Sequence, residues 1–527
     1  MDIFERQDVD VICSGNHELY KRASVDFEFN TTVPHFEQHY LASNLDYINA
    51  ETQERKPLAH RFRKFTTKNQ GIRVLAMGFL FDFSNAADNI VVQDVEDAIK
   101  EKWFRDAIRD RDVDLFLIAG HVPLRSPEFQ AIYKAIREQQ WDTPIQFFGG
   151  HTHIRDYVKY DKNAYALESG RYMETVGFMS IDGLNAGGKN LKNDFVSMLS
   201  SALSSVAPRT KMARTPNFSR RYVDNNLYSF HHHTGLNASE FPTSYGLNVS
   251  KSIQEARKRL RLDHTYGCVP QTYWTNRAPY PSNSSIFSLL QDRILPDKLA
   301  REDRKDVPSI AISNTGAIRF DMFEGRFTID SMYTVSPFTS GFRSVKDVPW
   351  RIAQLLLKIL NQEVPQLWPV ELAAEMKSIA PVREGLLATS DHEHEREQHV
   401  KLYATSGKDQ HPIFQSRGDS NKKLIPGYTT HDAAGSDGDD TVHSPIKFYD
   451  VPNCIQSNLR FPQEGDKDPE TVDVIFNDFL QKYILLALKF LGTDYDEKST
   501  ESYADGKTLT TMLGEWVSET WKCEDDH

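Results

Sequence analysis

Three times between residues 9 and 153 an apolar run stops at glycine and is followed at once by side chains able to ligate a metal. These are Gly15-Asn16-His17-Glu18, Gly120-His121 and Gly149-Gly150-His151-Thr152-His153. The segments around them are short and apolar (9–15, 71–83, 113–121, 144–151 and 174–182), with a helical pattern over 95–110. Strands that each end in a polar loop, with helices between them, predict a layered α/β architecture with its chemistry at the strand ends. Residues 10–14, DVICS, read as the first buried strand. Glycine lets the backbone turn sharply there, and imidazole nitrogens with an amide oxygen suit divalent first-row metals.

A different pattern starts at residue 251. The preceding stretch, 185–250, is rich in Gly, Asn, Ser and Pro and reads as a linker. Beyond it come helices over 252–262, 284–295 and 350–363, a strand over 308–314 and an amphipathic helix over 470–491. Residues 389–420 are polar and read as an exposed insertion. His231, His232 and His233, like His392, His394 and His399, lie in polar stretches and are assigned no role. Arg257, Lys258, Arg259 and Arg261 read as a solvated helix face, and Tyr273, Trp274 and Tyr280 as packing residues.

Charge removes one class of partner. With 62 Lys and Arg against 74 Asp and Glu, the net charge of −12 gives no global basic field for a nucleic-acid polymer. The best apolar run, 483–491, is short and broken by Lys489, so no membrane span is expected. Cys13, Cys268, Cys454 and Cys523 stand singly, which argues against a thiolate zinc site or a dense disulfide framework and leaves the redox compartment open. Five N-x-S/T sequons, at Asn30, Asn217, Asn237, Asn248 and Asn283, point toward the secretory route.

In their order and spacing, G-N-H-E, G-H and G-H-T-H resemble the motifs of calcineurin-like metallophosphatases. Ser313-Asn314-Thr315-Gly316-Ala317-Ile318-Arg319, followed by Asp330 and Val335-Ser336-Pro337-Phe338, resembles the 5'-nucleotidase C-terminal domain. The likeness covers 9–182 and 251–491 and looks closest to fungal members of the 5'-nucleotidase family. It implies an α/β (α+β) chain. A layered metallophosphatase β-sandwich with flanking helices, incomplete at its N-terminus, would occupy 1–184; a linker would follow over 185–250, and an α+β substrate-binding domain over 251–527.

The resemblance also implies a two-metal centre of divalent ions, whether Zn, Mn, Fe or Mg, that activates water against a small phosphoester, a nucleotide above all. Asn16, His121 and His151 would hold one ion and His153 the other, with His17 as the catalytic residue at the phosphate. Asn314 and Arg319 would lie near the nucleoside or its phosphate, and Phe338 would stack on the base. Three positions depart from the family pattern. Its D-x-H and G-D-x-x-D motifs lie upstream of G-N-H-E, where this chain has fourteen residues, so the metal site is expected to be incomplete as the chain starts. The Asp three residues after the catalytic His is Tyr20 here, and Asp439 in Gly435-Ser436-Asp437-Gly438-Asp439 stands where a second stacking aromatic is expected. Two alternatives stay open: an impaired nucleotide- or partner-binding module, and a phosphodiesterase. A vacuolar or secretory location follows from the sequons and the family, a cytoplasmic one if Met1 is the true start.

Overall fold

The computed structural model describes residues 3–184, 216–301, 304, 306–361, 424–426, 447–461 and 467–523. They divide into two compact units, one running to Ser250 and the other beginning at Lys251.

In the first unit, β1 (Leu45–Ile48), β2 (Arg55–Pro57) and β5 (Ile90–Val92) form a three-stranded antiparallel sheet. A six-stranded sheet joins β3 (Phe62–Thr66), β4 (Arg73–Leu80), β6 (Leu115–His121), β7 (Ile145–Phe148), β8 (Arg155–Asp161) and β9 (Ala164–Ser169) in the order β3-β4-β6-β7-β9-β8. Its four inner strands are parallel and its two edges antiparallel. RVLAMGFL makes β4 because a strand covered on both faces needs an unbroken apolar run, and all of it after Arg73 is buried. Helices Lys102–Arg109 and Pro127–Gln139 bring Phe104, Ile108, Phe129, Ile132 and Ile136 into one core with Leu75, Met77, Phe116, Ile118 and Phe147. Each such side chain contributes roughly 1.5–3 kcal/mol on burial. Parallel strands of this kind present all their C-terminal ends on one side, where β6 ends in Gly120-His121 and β7 runs into Gly149.

The structure corrects the expected first strand. Residues 10–14 make a single bridge, Ile12 to Tyr40, since β4 is already flanked by β3 and β6. The segment packs instead over Gly78, where an added Cβ would lie 2.6 Å from Leu41 O and 3.0 Å from Cys13 Cβ. The helical pattern over 95–110 resolves into Val95–Ala98 and Lys102–Arg109, separated by extended Glu101. β10 (Thr175–Asp182) pairs with β11 (Asn217–Asp224) in a separate ribbon. β11 lies in the stretch read as a linker, where Phe218 and Tyr222 are buried amid polar neighbours that mask the strand pattern.

In the second unit β12 (Thr265–Val269) pairs with β14 (Gly325–Thr328), and β16 (Leu424–Pro426) with β17 (Lys447–Tyr449). The main sheet contains β13 (Ser309–Asn314), β15 (Phe342–Pro349), β18 (Cys454–Leu459), β19 (Thr471–Asn477) and β20 (Thr500–Tyr503), in the order β18-β13-β19-β15-β20. Alternation along these strands feeds two cores. Ile310, Ile312, Val472, Val474 and Phe476 join helices Trp350–Leu360 and Gln481–Phe490, whereas Ala311, Ile455 and Ile475 join helix Leu509–Thr520. The helix expected over 470–491 therefore starts as a strand: TVDVIFN is rich in β-branched residues that fit a pleated surface, and the helix begins only at Gln481. Cys268 and Cys523, 255 residues apart, form a disulfide that the scattered cysteines did not foretell. Helix Ser244–Arg259 starts earlier than its pattern suggested, and Arg257 pairs with Asp263 and Asp330. The expected insertion at 389–420, the histidines within it and Gly435 to Asp439 lie outside the described residues.

Candidate functional site

The loop after residue 14 and the ends of β6 and β7 bring three sequence-singled residues together. His121 Nε2 lies 3.0 Å from Asn16 Oδ1 and 3.1 Å from His151 Nδ1. The remaining two are close by, since both His17 and His153 act electrostatically on His121. Burial pushes the His121 imidazole well below its usual range, and His151, His17 and His153 push the same way. A neutral imidazole keeps a lone pair available, which is the form that ligates metals. Asn16 and His151 are buried, while His17 is exposed at the end of the loop.

Several neighbours hold this arrangement. Gly149 is needed because a Cβ there would fall 2.7 Å from Val122 O. His151 and His153 both adopt left-handed backbone, with φ of 80° and 62°, a conformation costing on the order of 1–3 kcal/mol for such residues. Glu168, 1 % exposed on β9, holds the residue between them: its Oε1 accepts from Thr152 N at 3.0 Å and Thr152 Oγ1 at 2.5 Å. Burial pushes the Glu168 carboxyl up to about 8 despite these donors. Phe81, just past β4, stacks on His151 with centroids 4.3 Å apart. Arg125, four residues after His121, grips Asp156, three residues after His153, through bonds of 3.0 and 2.9 Å, tying the two histidine loops together. Glu168 stands out as an acid after the apolar run AYAL; Phe81 carried no signal beyond its strand.

Two imidazole nitrogens and an amide oxygen converging on one point fit a single divalent cation of first-row type. Among the described residues no group of three or more His, Cys, Asp or Glu side chains is arranged to hold a metal, so any further donors to a second ion are not seen there.

In the second unit Asn314 ends β13 and its Oδ1 accepts from Asn477 Nδ2 at 2.6 Å. Arg319 lies over the Phe338 ring, 4.9 Å from its centroid. Arg319 N donates to Val335 O, and Ser336 Oγ to Ala317 O, so the N-x-G-x-I-R and P-F segments form one surface. Asn477 was not anticipated; its position at the end of β19, beside β13, is a product of sheet order. His231, His232 and His233 lie on helix Leu227–Thr234, where His231 bonds Leu236 O, and Tyr273 is a buried packing residue.

A parallel-centred sheet with Gly-His turns at its strand ends, joined in sequence to an α+β unit with its own sheet, is the layout that the resemblance to metallophosphatases implies. Comparison with known proteins makes this specific. Residues 272–485 match the family described as NAD nucleotidase, C-terminal domain. A crystal structure of 5'-nucleotidase from Candida albicans is 34 % identical with a TM-score of 0.75, covering 98 % of this chain and 84 % of that one. An uncharacterized protein of Schizosaccharomyces pombe is 36 % identical over 99 % of this chain and 79 % of its own length, and a secreted protein of Arthroderma benhamiae is 34 % identical over the same shares. A 5'-nucleotidase precursor from Thermus thermophilus, 14 % identical with a TM-score of 0.53, shares the fold. The chain belongs to the 5'-nucleotidase family and is by family a hydrolase of that type.

Proposed function

We propose that the protein hydrolyses 5'-nucleotides to nucleoside and phosphate, with phosphate chemistry in the first unit and base recognition in the second. The observation that carries this reading is the convergence of Asn16 Oδ1 and His151 Nδ1 on His121 Nε2 within 3.1 Å. Asn16, His121 and His151 would hold one divalent cation, with His153 available toward a second. A bound cation supplies Lewis acidity toward a phosphoryl oxygen and lowers the pKa of a water. His121 stays neutral to bind it, and exposed His17 contacts the phosphoryl group and steadies its developing charge. Arg319 and Asn314 orient the polar part of the nucleoside, and Phe338 offers the base an aromatic face.

Phosphate release from AMP, a 3'-nucleotide and a phosphodiester, each with and without chelator, tests the reading. Chelator-sensitive release from AMP, lost in His121→Ala, is expected. Faster turnover of the diester would make the protein a phosphodiesterase, and nucleotide binding without turnover would make it a binding module.

We further propose passage through the secretory route. Support comes from the Cys268–Cys523 disulfide, the exposure of all five sequon asparagines and the secreted relative. Among the described residues no helix is long and apolar enough to cross a membrane. Asn237 is the best acceptor: it lies in an exposed turn where Ser239 Oγ donates to its Oδ1 at 2.6 Å. Protein from a secreting fungal host should shift on deglycosylation, and by less in Asn237→Gln; no shift at all would count against this route.

A further inference from the structure

Tyr20 stands where the resemblance implies a carboxylate, and its hydroxyl meets the side chain of Asn16. Asn16 Nδ2 donates to Tyr20 Oη at 3.0 Å. The local fold brings these two residues together: Leu19 N bonds Asn16 O in a turn, and Leu19 itself is 0 % exposed, with its carbonyl accepting from Ala87 N at 2.8 Å. The residue after this anchor is thus held beneath the Asn16 side chain. The Tyr20 ring packs edge-on against Phe83 at 5.2 Å and against His17 at 5.3 Å. Ring packing accounts for an aromatic at this position but not for a hydroxyl, because phenylalanine would pack equally well.

We propose that Tyr20 is a positioning residue for the metal ligand Asn16, its phenol oxygen taking the amide hydrogen so that Oδ1 faces His121 and the cation. A free asparagine side chain can present either end of its amide, and only the oxygen is a ligand. One acceptor at Nδ2 fixes that choice, and with it the 3.0 Å approach of Oδ1 to His121 Nε2. The same ring borders His17, so a single side chain braces a ligand through its oxygen and the catalytic residue through its edge. This inference rests on the metal reading given above.

The test is titration of the purified protein with Mn²⁺ or Zn²⁺, followed by calorimetry, for wild type, Tyr20→Phe, Asn16→Ala and the double variant. Tyr20→Phe should weaken binding roughly tenfold, within the range for an outer-shell partner, and the double variant should bind no worse than Asn16→Ala. Wild-type affinity in Tyr20→Phe, with binding lost in Asn16→Ala, would overturn the role of the hydroxyl and leave the metal reading intact. Wild-type affinity in Asn16→Ala would overturn both. Selective nitrogen labelling of asparagine gives a metal-free check: the Asn16 side-chain amide signal should shift and exchange faster in Tyr20→Phe, and an unmoved signal would count against the hydrogen bond.

Discussion

The histidine loops of the first unit and the Arg319–Phe338 surface of the second are built on different terms. The first concentrates strain and desolvation: two residues in left-handed backbone, a buried carboxyl and imidazoles pressed together. The second is quiet, with Arg319 N, Ser336 Oγ and the Phe338 carbonyl all in ordinary hydrogen bonds and no left-handed residue between Asn314 and Phe338 other than Gly325. Ligands must be aimed to within a fraction of an ångström and imidazoles must be kept close together, which a surrounding structure has to enforce. A base-stacking surface needs only a face and a charge. Damage to the first should therefore erase chemistry, and damage to the second should change affinity.

Removing His121 tests the contrast most severely. His121→Ala should lower kcat/KM for AMP more than about 100-fold, beyond the cost of losing an outer-shell partner, and should abolish tight metal binding. Phe338→Ala should instead raise KM by about 5-fold to 150-fold, from the roughly 1–3 kcal/mol that stacking on a base contributes, with kcat little changed. A substrate without a base, such as p-nitrophenyl phosphate, should not sense it. If Phe338→Ala lowered kcat and spared KM, the division of labour would be wrong.

Thr152→Val sharpens the claim about strain. It takes the hydroxyl from Glu168 Oε1 while keeping side-chain shape, and should destabilise the protein by about 1–3 kcal/mol in thermal or urea unfolding. An unchanged unfolding midpoint would mean that the loop needs no such clamp.

The smallest effect concerns pH. Glu28 is buried, with its carboxyl raised above the ordinary range by desolvation while Tyr40 Oη donates to Oε1 at 2.6 Å. A carboxyl raised on folding contributes stability that is fully present below its unfolded pKa and is lost as pH rises through the folded value. Glu28→Gln removes that loss, so the variant should gain on wild type as the pH rises above the ordinary carboxyl range. Parallel stability curves would show that Glu28 does not titrate in this window.

The site was more legible than the scaffold that aims it. Gly-His turns stand out because glycine and imidazole are both chemically distinctive, while the grouping of Asn16, His121 and His151 came from the family resemblance, and the structure places the three side chains near one another. Arg319 and Phe338 likewise sat in a recognisable pair. What the sequence hid were pairings across distance, Asn477 against Asn314 and Arg125 against Asp156. Such partners depend on sheet order and on which edge is already occupied, and no local pattern encodes either. The same cause explains residues 10–14, apolar enough for a strand but left without a free neighbour, and TVDVIFN, whose period of two was hidden beside a long helical run.

The bond between Cys268 and Cys523 closes a circuit through almost half of the polypeptide. A protease that cuts once anywhere within that circuit produces two fragments that migrate as one until a reductant is added, so intact mass on a non-reducing gel is no proof of an intact chain. During synthesis the order runs the other way: β12 emerges long before its cysteine partner, and Cys268 cannot meet Cys523 until 255 further residues have been made.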